Sequence, residues 1–290
     1  MLDWIVRRVV VLARMVKIEH SIFALPFAYL GAFVAARGWP GWRVFLVLSV
    51  AMVSVRSYAM AFNRLLDLPY DRENPRTQQR ELVIGTVRQT EAWLFMAANA
   101  AVFVLACWAL NRLCLLLAFP VLLLAGIYSY TKRFTWLCHF LLGLVLGLSP
   151  LAGWLAVRPE LTGTLMPVML FMAGVIFWVA GFDMLYACQD MEFDRSRCFY
   201  SLPAVLGAST ALALSSFCHV NASLFFCFGG WAAGLGWPYY TAWGVVSLVL
   251  LCEHLLISAN DLSRMNLAFF TLNGIVSILL FGGVAWGLQV

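Results

Sequence analysis

The sequence has few charged residues. Charged side chains make up 11% of its 290 residues, whereas the apolar set makes up 63%. Water-soluble domains carry about 25% charged residues, so this chain lacks the polar surface that a dissolved protein needs. The composition excludes a soluble globular domain and predicts an integral membrane protein.

Closely spaced pairs of cysteine or histidine are also missing. The eight cysteines include no Cys-x-x-Cys pair, and the four histidines include no His-x-x-x-His pair. This pattern indicates neither a disulfide framework nor a zinc site. The alternating segments of ~10 residues that are typical of outer-membrane barrels are absent too. Long apolar runs instead predict helices, which satisfy their own backbone hydrogen bonds in lipid.

Nine apolar runs are candidate membrane spans, since a helix needs about 20 such residues to cross a bilayer. They cover roughly residues 18–36, 43–66, 91–110, 113–129, 138–157, 163–187, 208–233, 236–258 and 267–288. Gly143, Gly147 and Gly174 lie within spans, where small residues allow close helix packing. We therefore predict an all-α membrane protein, with about nine transmembrane helices in a single domain over residues 1–290.

Basic residues are distributed unevenly between the two sides of this predicted bundle. Of the nineteen Lys and Arg residues, fourteen fall on the side of the N-terminus, four fall on the other side, and Arg56 lies within a span. The positive-inside rule makes the first side cytoplasmic. The net charge of +5 is thus a topological signal and a contact for anionic lipid, and it requires no nucleic-acid partner.

One acidic segment follows the second predicted span on the cytoplasmic side. Asn63, Asp67 and Asp71 recur at four-residue spacing, which aligns side chains along one face of a helix. Pro69 lies between the two acids, so a kink or a helix end is expected before Asp71.

A second acidic segment follows the sixth span on the same side. Asp190 and Asp194 repeat the four-residue spacing, and Asp183 and Tyr186 precede them on much the same helical face. The two Asp pairs lie 123 residues apart, and each follows the second of four spans. This arrangement predicts two four-helix repeats plus one extra helix.

Carboxylates at the end of an apolar helix are costly unless they are paired, solvated or bound to a cation. A solvated helix end would explain one Asp pair, but two matching pairs on one membrane face favour a site. Carboxylate and amide oxygens suit Mg²⁺, which keeps several waters and bridges to phosphate oxygens. The predicted Mg²⁺ ligands are Asn63, Asp67, Asp71, Asp190 and Asp194.

Basic side chains accompany these acids. Arg56 lies two turns before Asn63 inside an apolar span, so it needs either an anionic ligand or an ion pair with Asp183 or another acid. Lys132 follows Tyr128 by four residues at the cytoplasmic end of the fourth span, where a lysine can also simply extend to the interface. Taken together, acids, Mg²⁺ and basic donors are what a diphosphate group requires.

The motifs resemble those of the UbiA superfamily of intramembrane prenyltransferases, most closely its 4-hydroxybenzoate polyprenyltransferase-like branch. The NxxxDxxxD motif of that family corresponds to residues 63–71, and its DxxYAxxDxxxD motif to residues 183–194. Its YxxxK motif is Tyr128 to Lys132, and the motif arginine seven residues before the Asn is Arg56. The order of the motifs, their placement on spans and the length agree, so the resemblance covers essentially the whole chain.

The sequence departs from this branch at three places. Cys198 stands where the branch usually has Gly, and Tyr200 stands where it usually has a basic residue. The loop over residues 81–85 lacks the proline-containing turn that is common there. None of these changes falls on a predicted metal ligand.

The resemblance implies that the chain transfers a polyprenyl group from an allylic polyprenyl diphosphate to an aromatic ring carbon in quinone biosynthesis, with Mg²⁺ as cofactor. It implies catalytic roles for Asp67, Asp71, Asp190, Asp194, Lys132 and Arg56. Residues expected to contact substrate are Asn63, Tyr128, Asp183, Tyr186, Arg72 and Arg195.

The aromatic acceptor implied by the resemblance is 4-hydroxybenzoate or a hydroxynaphthoate. The run 129–136, together with residues 17–20, is similar to the sub-branch that makes menaquinone by the futalosine route, so a hydroxynaphthoate is the alternative to 4-hydroxybenzoate. Two other classes of protein remain open from the residues: a CDP-alcohol phosphatidyltransferase, which also uses paired Asp motifs and Mg²⁺, and a transporter. The phosphatidyltransferase motif needs a second Asp pair soon after the first, and a transporter is expected to carry polar groups near the middle of the membrane.

Overall fold

The structure, a computed structural model, describes residues 2–257 and 271–289. Within these ranges all regular structure is helical. The α-helices are α1 (Leu2–Met15), α2 (Leu25–Ala36), α3 (Trp42–Asp71), α4 (Gln89–Leu110), α5 (Arg112–Thr131), α6 (Cys138–Val157), α7 (Met166–Ala187), α8 (Met191–Ser196), α9 (Leu202–Leu206), α10 (Ala208–Ala233), α11 (Trp237–Leu256) and α12 (Asn273–Gly287). Two 3₁₀ helices cover Ile18–Phe23 and Cys188–Asp190.

Eight helical segments among the described residues are long and apolar enough to cross a membrane. They are Ile18–Ala36, Trp42–Asp71, Gln89–Leu110, Arg112–Thr131, Cys138–Val157, Met166–Ser196, Ala208–Ala233 and Trp237–Leu256. The all-α membrane fold is therefore confirmed. The count of nine is not: α12 is a shorter apolar helix, and the first part of the predicted ninth span lies outside the described residues.

Pro69 does not end α3 before Asp71, because the helix continues through the proline to Asp71. A proline removes one backbone hydrogen bond and crowds the carbonyl four residues earlier. So close to the end of a helix, few further bonds depend on it, and the two acids stay on one helix.

The chain divides into two compact units. Unit 1 comprises Met1–Ser21 and Val47–Ser129, and unit 2 comprises Ile22–Leu46 and Tyr130–Val290. The predicted single domain and the predicted four-helix repeats stay predictions.

In unit 1, the end of α1 packs against α3 and the loop that follows it. Met15 belongs to an apolar cluster with Leu68 and Val87. Arg8 forms an ion pair with Glu91 at 2.5 Å. These contacts join the N-terminal helix to both ends of the loop between α3 and α4.

In unit 2, small residues let helices approach until their backbones touch. A Cβ atom added to Gly143 would lie 2.5 Å from the carbonyl oxygen of Ile176, and one added to Gly153 would overlap the carbonyl oxygen of Ala28. The predicted packing role of Gly143, and equally of Gly147 and Gly174, is confirmed.

A buried polar connection joins three helices of unit 2. The indole Nε1 of Trp178 in α7 donates to Asn273 Oδ1 in α12 at 2.7 Å, and Asn273 Nδ2 donates to Glu253 Oε1 in α11 at 3.2 Å. All three side chains are at most 1% exposed. His219 Nδ1 lies 3.6 Å from Glu253 Oε2. Nothing in the local sequence pattern relates residues so far apart in the chain, so this connection could not be predicted from it.

Candidate active site

The first acidic motif lies along the last turns of α3. Asp67 and Asp71 are both buried, and Asn63 Nδ2 donates to Asp67 Oδ2 at 3.3 Å. The four-residue spacing therefore brings Asn63 and Asp67 into contact on one face of the helix, as predicted. Carboxylate and amide oxygens are thus presented together.

Asp71 forms an ion pair that the sequence pattern did not predict. Arg80 Nη1 lies 2.6 Å from both Asp71 carboxylate oxygens, and the Thr77 hydroxyl donates to the Asp71 carbonyl at 3.1 Å. The loop after α3 thus folds back over the end of the helix. By contrast Arg72, a predicted substrate contact, is exposed.

Further basic groups surround this end of unit 1. The pKa of Lys17 is lowered because the amine is partly buried and because Arg64, Arg80 and Arg76 place positive charge near it. Arg64 Nε also donates to the carbonyl of Met15 at 3.2 Å. Such a concentration of positive charge favours an anionic ligand.

Arg56, which lies in α3 before Asn63, has a buried N–H donor that is available to a ligand. Its Nε is shielded from solvent and has no hydrogen-bond partner. A buried unsatisfied donor is costly, so this geometry suits a ligand acceptor. The sequence also allowed an ion pair between Arg56 and Asp183. In the structure Asp183 is instead bonded to His139 at 2.7 Å. Tyr128 is half-buried in the last turn of α5.

The second acidic motif does not lie on one continuous α-helix. Asp183 and Tyr186 belong to α7, the 3₁₀ helix Cys188–Asp190 follows, and Asp194 belongs to α8. Three residues per turn instead of 3.6 turns Asp190 by about 60° from the position that a continuous α-helix would give. Tyr186 and Asp190 are half-buried.

A short segment after α8 contacts two of the predicted site residues in unit 2. The Ser201 hydroxyl donates to Asp194 Oδ2 at 2.5 Å, and the backbone N–H of Tyr200 donates to the Lys132 carbonyl at 2.7 Å. The Lys132 amine lies 5.0 Å from the ring centre of Phe199, a cation–π distance. Asp194 is buried, so its serine partner supplies one of its hydrogen bonds.

The structure accounts for two of the sequence departures. Cys198 has φ of 54°, in the left-handed region that glycine adopts without strain, so the glycine usual at this position has a conformational reason. Tyr200 contributes its backbone N–H to Lys132 while its side chain is 46% exposed. The backbone contact does not depend on a basic side chain.

Arg195, another predicted substrate contact, is engaged within its own loop. Its Nε donates to the Ala204 carbonyl at 3.0 Å, and its Nη1 lies 3.4 Å from Glu192 Oε1. Gln189, beside Asp190, was not predicted, and its Nε2 is buried without a hydrogen-bond partner. Only its position inside the acidic motif could have identified it.

The oxygen donors of the two motifs fit the chemistry of Mg²⁺, which takes carboxylate, amide and water oxygens. Over residues 2–257 and 271–289, no three His, Cys, Asp or Glu side chains are grouped closely enough to hold a metal ion. Mg²⁺ commonly binds through one or two carboxylates plus substrate phosphates. These donors therefore suit a metal that arrives with a phosphate ligand.

A protein-family model matches most of the chain. The model of the UbiA prenyltransferase family matches residues 24–275. The chain belongs to the UbiA prenyltransferase family. It is accordingly an enzyme that transfers prenyl groups, and the phosphatidyltransferase and transporter alternatives no longer apply.

Individual UbiA proteins extend the comparison. A UbiA homolog from Aeropyrum pernix K1, solved in its apo form, is 37% identical with a TM-score of 0.83, over 92% of this chain and 97% of that chain. The 4-hydroxybenzoate octaprenyltransferase of Methylobacillus flagellatus is 29% identical over 88% of this chain and 85% of its own length. A UbiA homolog from Archaeoglobus fulgidus, bound to GPP and Mg²⁺, has 18% identity and a TM-score of 0.68 over 97% of this chain and 100% of that chain, a likeness of fold.

Proposed function

We propose that this UbiA enzyme transfers a polyprenyl group from an allylic polyprenyl diphosphate to a ring carbon of 4-hydroxybenzoate, in a reaction that requires Mg²⁺. The observation that carries this proposal is the similarity, along most of both chains, to a protein named 4-hydroxybenzoate octaprenyltransferase. The fold neighbour bound to GPP and Mg²⁺ supports a prenyl diphosphate as donor.

Both acidic motifs take part in diphosphate binding in this proposal. The proposed oxygen ligands are Asn63, Asp67 and Asp71 in the first motif and Asp190 and Asp194 in the second. Mg²⁺, when bound, neutralises the charge that develops on the diphosphate as its bond to carbon breaks. The Arg80 guanidinium lies 2.6 Å from the Asp71 carboxylate. A Mg²⁺ ion bound at Asp71 would therefore share this carboxylate with Arg80.

Basic residues donate to the anionic substrates. The unsatisfied Nε of Arg56 can donate to a diphosphate or carboxylate oxygen, and the Lys132 amine adds a second cation. Tyr128, Asp183 and Tyr186 are proposed substrate contacts. Arg72 and Arg195 are the weakest members of this set, because both side chains are exposed and Arg195 is bonded within its loop.

The chemistry follows from these roles. The allylic C–O bond breaks and the diphosphate leaves with the bonding electron pair. A ring carbon of the aromatic acid forms the new C–C bond, and the ring then loses one proton. The apolar interior excludes water, which would otherwise add to the allylic cation, and the prenyl tail needs no polar site of its own because lipid-like surroundings solvate it.

We also propose that the N-terminus and the acidic motifs face the cytoplasm, on the basis of the positive-inside distribution. Cys198 is exposed between α8 and α9, so it reports the side of the second acidic motif. A membrane-impermeant maleimide should label Cys198 in inside-out vesicles and leave it unlabelled in right-side-out vesicles.

The function is tested in washed membranes that contain the protein. Polyprenyl diphosphate and Mg²⁺ are supplied with either 4-hydroxybenzoate or 1,4-dihydroxy-6-naphthoate, and prenylated product is detected by mass. We expect product from 4-hydroxybenzoate that disappears with EDTA and in Asp67→Ala, which should still insert into the membrane.

Other outcomes correct the proposal in defined ways. Product from the naphthoate alone would replace the acceptor and keep the reaction. Full activity of Asp67→Ala would remove this carboxylate from the metal site. Product that is insensitive to EDTA would contradict the proposed Mg²⁺ requirement.

A further inference from the structure

Three consecutive residues after α8 connect to three predicted site residues of unit 2. Tyr200 N–H donates to the carbonyl of Lys132 at 2.7 Å, and the next residue, Ser201, donates to Asp194 at 2.5 Å. The third, Leu202, is linked to Asp183 through the ring of His139. We call residues 199–202 the strap. The ring of His139 connects it to Asp183 in α7.

The two bonds of His139 fix the position of its proton. Leu202 N–H donates to Nε2 at 3.1 Å, so Nε2 carries a lone pair and no hydrogen. The ring proton therefore sits on Nδ1 and is donated to Asp183 Oδ2 at 2.7 Å. Both ring nitrogens are used, and the side chain is only 3% exposed, which leaves the imidazole no second orientation that keeps both bonds.

Asp183 differs from its partner in exposure. The Asp183 side chain is 25% exposed, whereas that of His139 is 3% exposed. His139 thus holds one carboxylate oxygen, while part of the Asp183 side chain stays accessible. A buried group that orients an accessible acid without itself being accessible acts on a ligand by positioning that acid.

We propose that His139 is a positioning residue for prenyl diphosphate binding. It couples the backbone of the strap to the Asp183 carboxylate, so that Lys132, Asp183 and Asp194 are set by one short segment. The inference rests on the proposed function in one respect, the identity of the ligand as a prenyl diphosphate.

Two substitutions separate the two bonds. In His139→Asn the amide nitrogen lies close to the place of Nδ1, which preserves the donor to Asp183 and removes the acceptor for Leu202. In His139→Gln the amide oxygen reaches about as far as Nε2, which preserves the acceptor and removes the donor. His139→Ala removes both bonds. His254→Asn is the matched control, because His254 is bonded to Ser216 and His219 elsewhere in unit 2.

The decisive readout is the affinity for geranyl diphosphate with Mg²⁺, measured by direct binding to purified protein and by the KM of the reaction. Misplacing a binding group by about 1 Å is enough for a large loss, so we expect roughly tenfold weaker binding in His139→Ala, smaller losses in His139→Asn and His139→Gln, and no change in His254→Asn. A second test uses the double variant Asp183→Ala with His139→Ala. Its loss of affinity should be smaller than the sum of the two single losses, because part of the effect of His139 passes through Asp183.

A purely structural role gives a different pattern. It lowers the yield of folded protein and the maximal rate but leaves both the dissociation constant and the KM of the folded fraction unchanged, and this result would overturn the inference. Direct binding also separates this failure from failure of the proposed function. Wild-type protein that binds geranyl diphosphate but prenylates no aromatic acid would correct the acceptor and leave the test of His139 valid, whereas wild-type protein without binding would overturn both.

Discussion

Arg80 Nη1 lies 2.6 Å from each carboxylate oxygen of Asp71. The side chains are 22% and 8% exposed, so the pair is shielded from most of the solvent. It ties the loop after α3 to the last residue of that helix, and it neutralises a carboxylate that would otherwise be buried alone.

Removing Arg80 should destabilise the protein more than removing the whole pair. Breaking a buried ion pair from one side leaves an uncompensated charge, so we expect Arg80→Ala to lower the free energy of unfolding by about 2 kcal/mol, given the partial exposure of the arginine. The double variant Asp71→Asn with Arg80→Ala should recover at least half of this loss. The measurement is equilibrium unfolding in detergent with EDTA present.

The control for this pair is Arg195→Ala. Arg195 and Glu192 are exposed, and exposed pairs contribute little. Equal losses in Arg195→Ala and Arg80→Ala, or a double variant that is less stable than Arg80→Ala, would contradict the argument from buried charge.

Cys198→Gly should stabilise the protein by about 1 kcal/mol. A residue with a side chain pays about 1–2 kcal/mol in the left-handed region, where Cys198 lies with φ of 54°, and part of the relief is offset by the greater freedom of glycine in the unfolded chain. Thermal unfolding in detergent measures the change. Cys198→Ala keeps the Cβ and should give no gain, so a gain in both variants would assign the effect to loss of the thiol.

Gly153→Ala should prevent normal packing of α2 on α6. The added Cβ would overlap the backbone carbonyl of Ala28, and a backbone atom cannot move away as a flexible side chain can. We expect a loss of roughly 3 kcal/mol, seen as a lower melting temperature in fluorescence-detected size-exclusion chromatography.

Gly244→Ala is the matched control, because nothing lies within 4 Å of a Cβ added there and the residue is inside α11. Alanine exceeds glycine in helix propensity by up to about 1 kcal/mol, so this variant should be as stable as the wild type or more so. A melting temperature of Gly153→Ala equal to that of Gly244→Ala would disprove the close approach.

Lys17 should react with acetylating reagents at lower pH than an ordinary lysine. Its pKa is lowered by burial and by the nearby positive charges of Arg64, Arg80 and Arg76, and only the neutral amine reacts. Mass spectrometry can follow acetylation of Lys17 across a pH series, and Arg76→Ala should move its midpoint upward because one repelling charge is gone. Arg72→Ala, which lacks this electrostatic effect, should leave the midpoint in place, and a midpoint that also stays in place in Arg76→Ala would contradict the assignment.

The helices could be predicted from the sequence because each apolar run specifies its own backbone hydrogen bonds. The contact of Asn63 with Asp67 followed in the same way from spacing along one helix. The contacts that could not be predicted are made where the chain folds back on itself. Arg80 reaches Asp71 through a loop, and His139 meets Asp183 from another helix. The 3₁₀ turn at Cys188–Asp190 could not be predicted either, because it has no marker such as glycine or proline.

The hydrogen bonds from Trp178 through Asn273 to Glu253 help to determine how the helices of unit 2 are rotated about their own axes. In lipid, one apolar face of a helix is nearly as well solvated as another, so burial alone barely distinguishes a helix from the same helix turned by one residue about its axis. Turning α12 by one residue would carry Asn273 away from both partners and leave an indole N–H and a carboxyl group without their bonds in a medium that offers no water. The bonds among these three side chains therefore favour the correctly rotated helices over incorrectly rotated ones. They contribute little to the attraction between the helices.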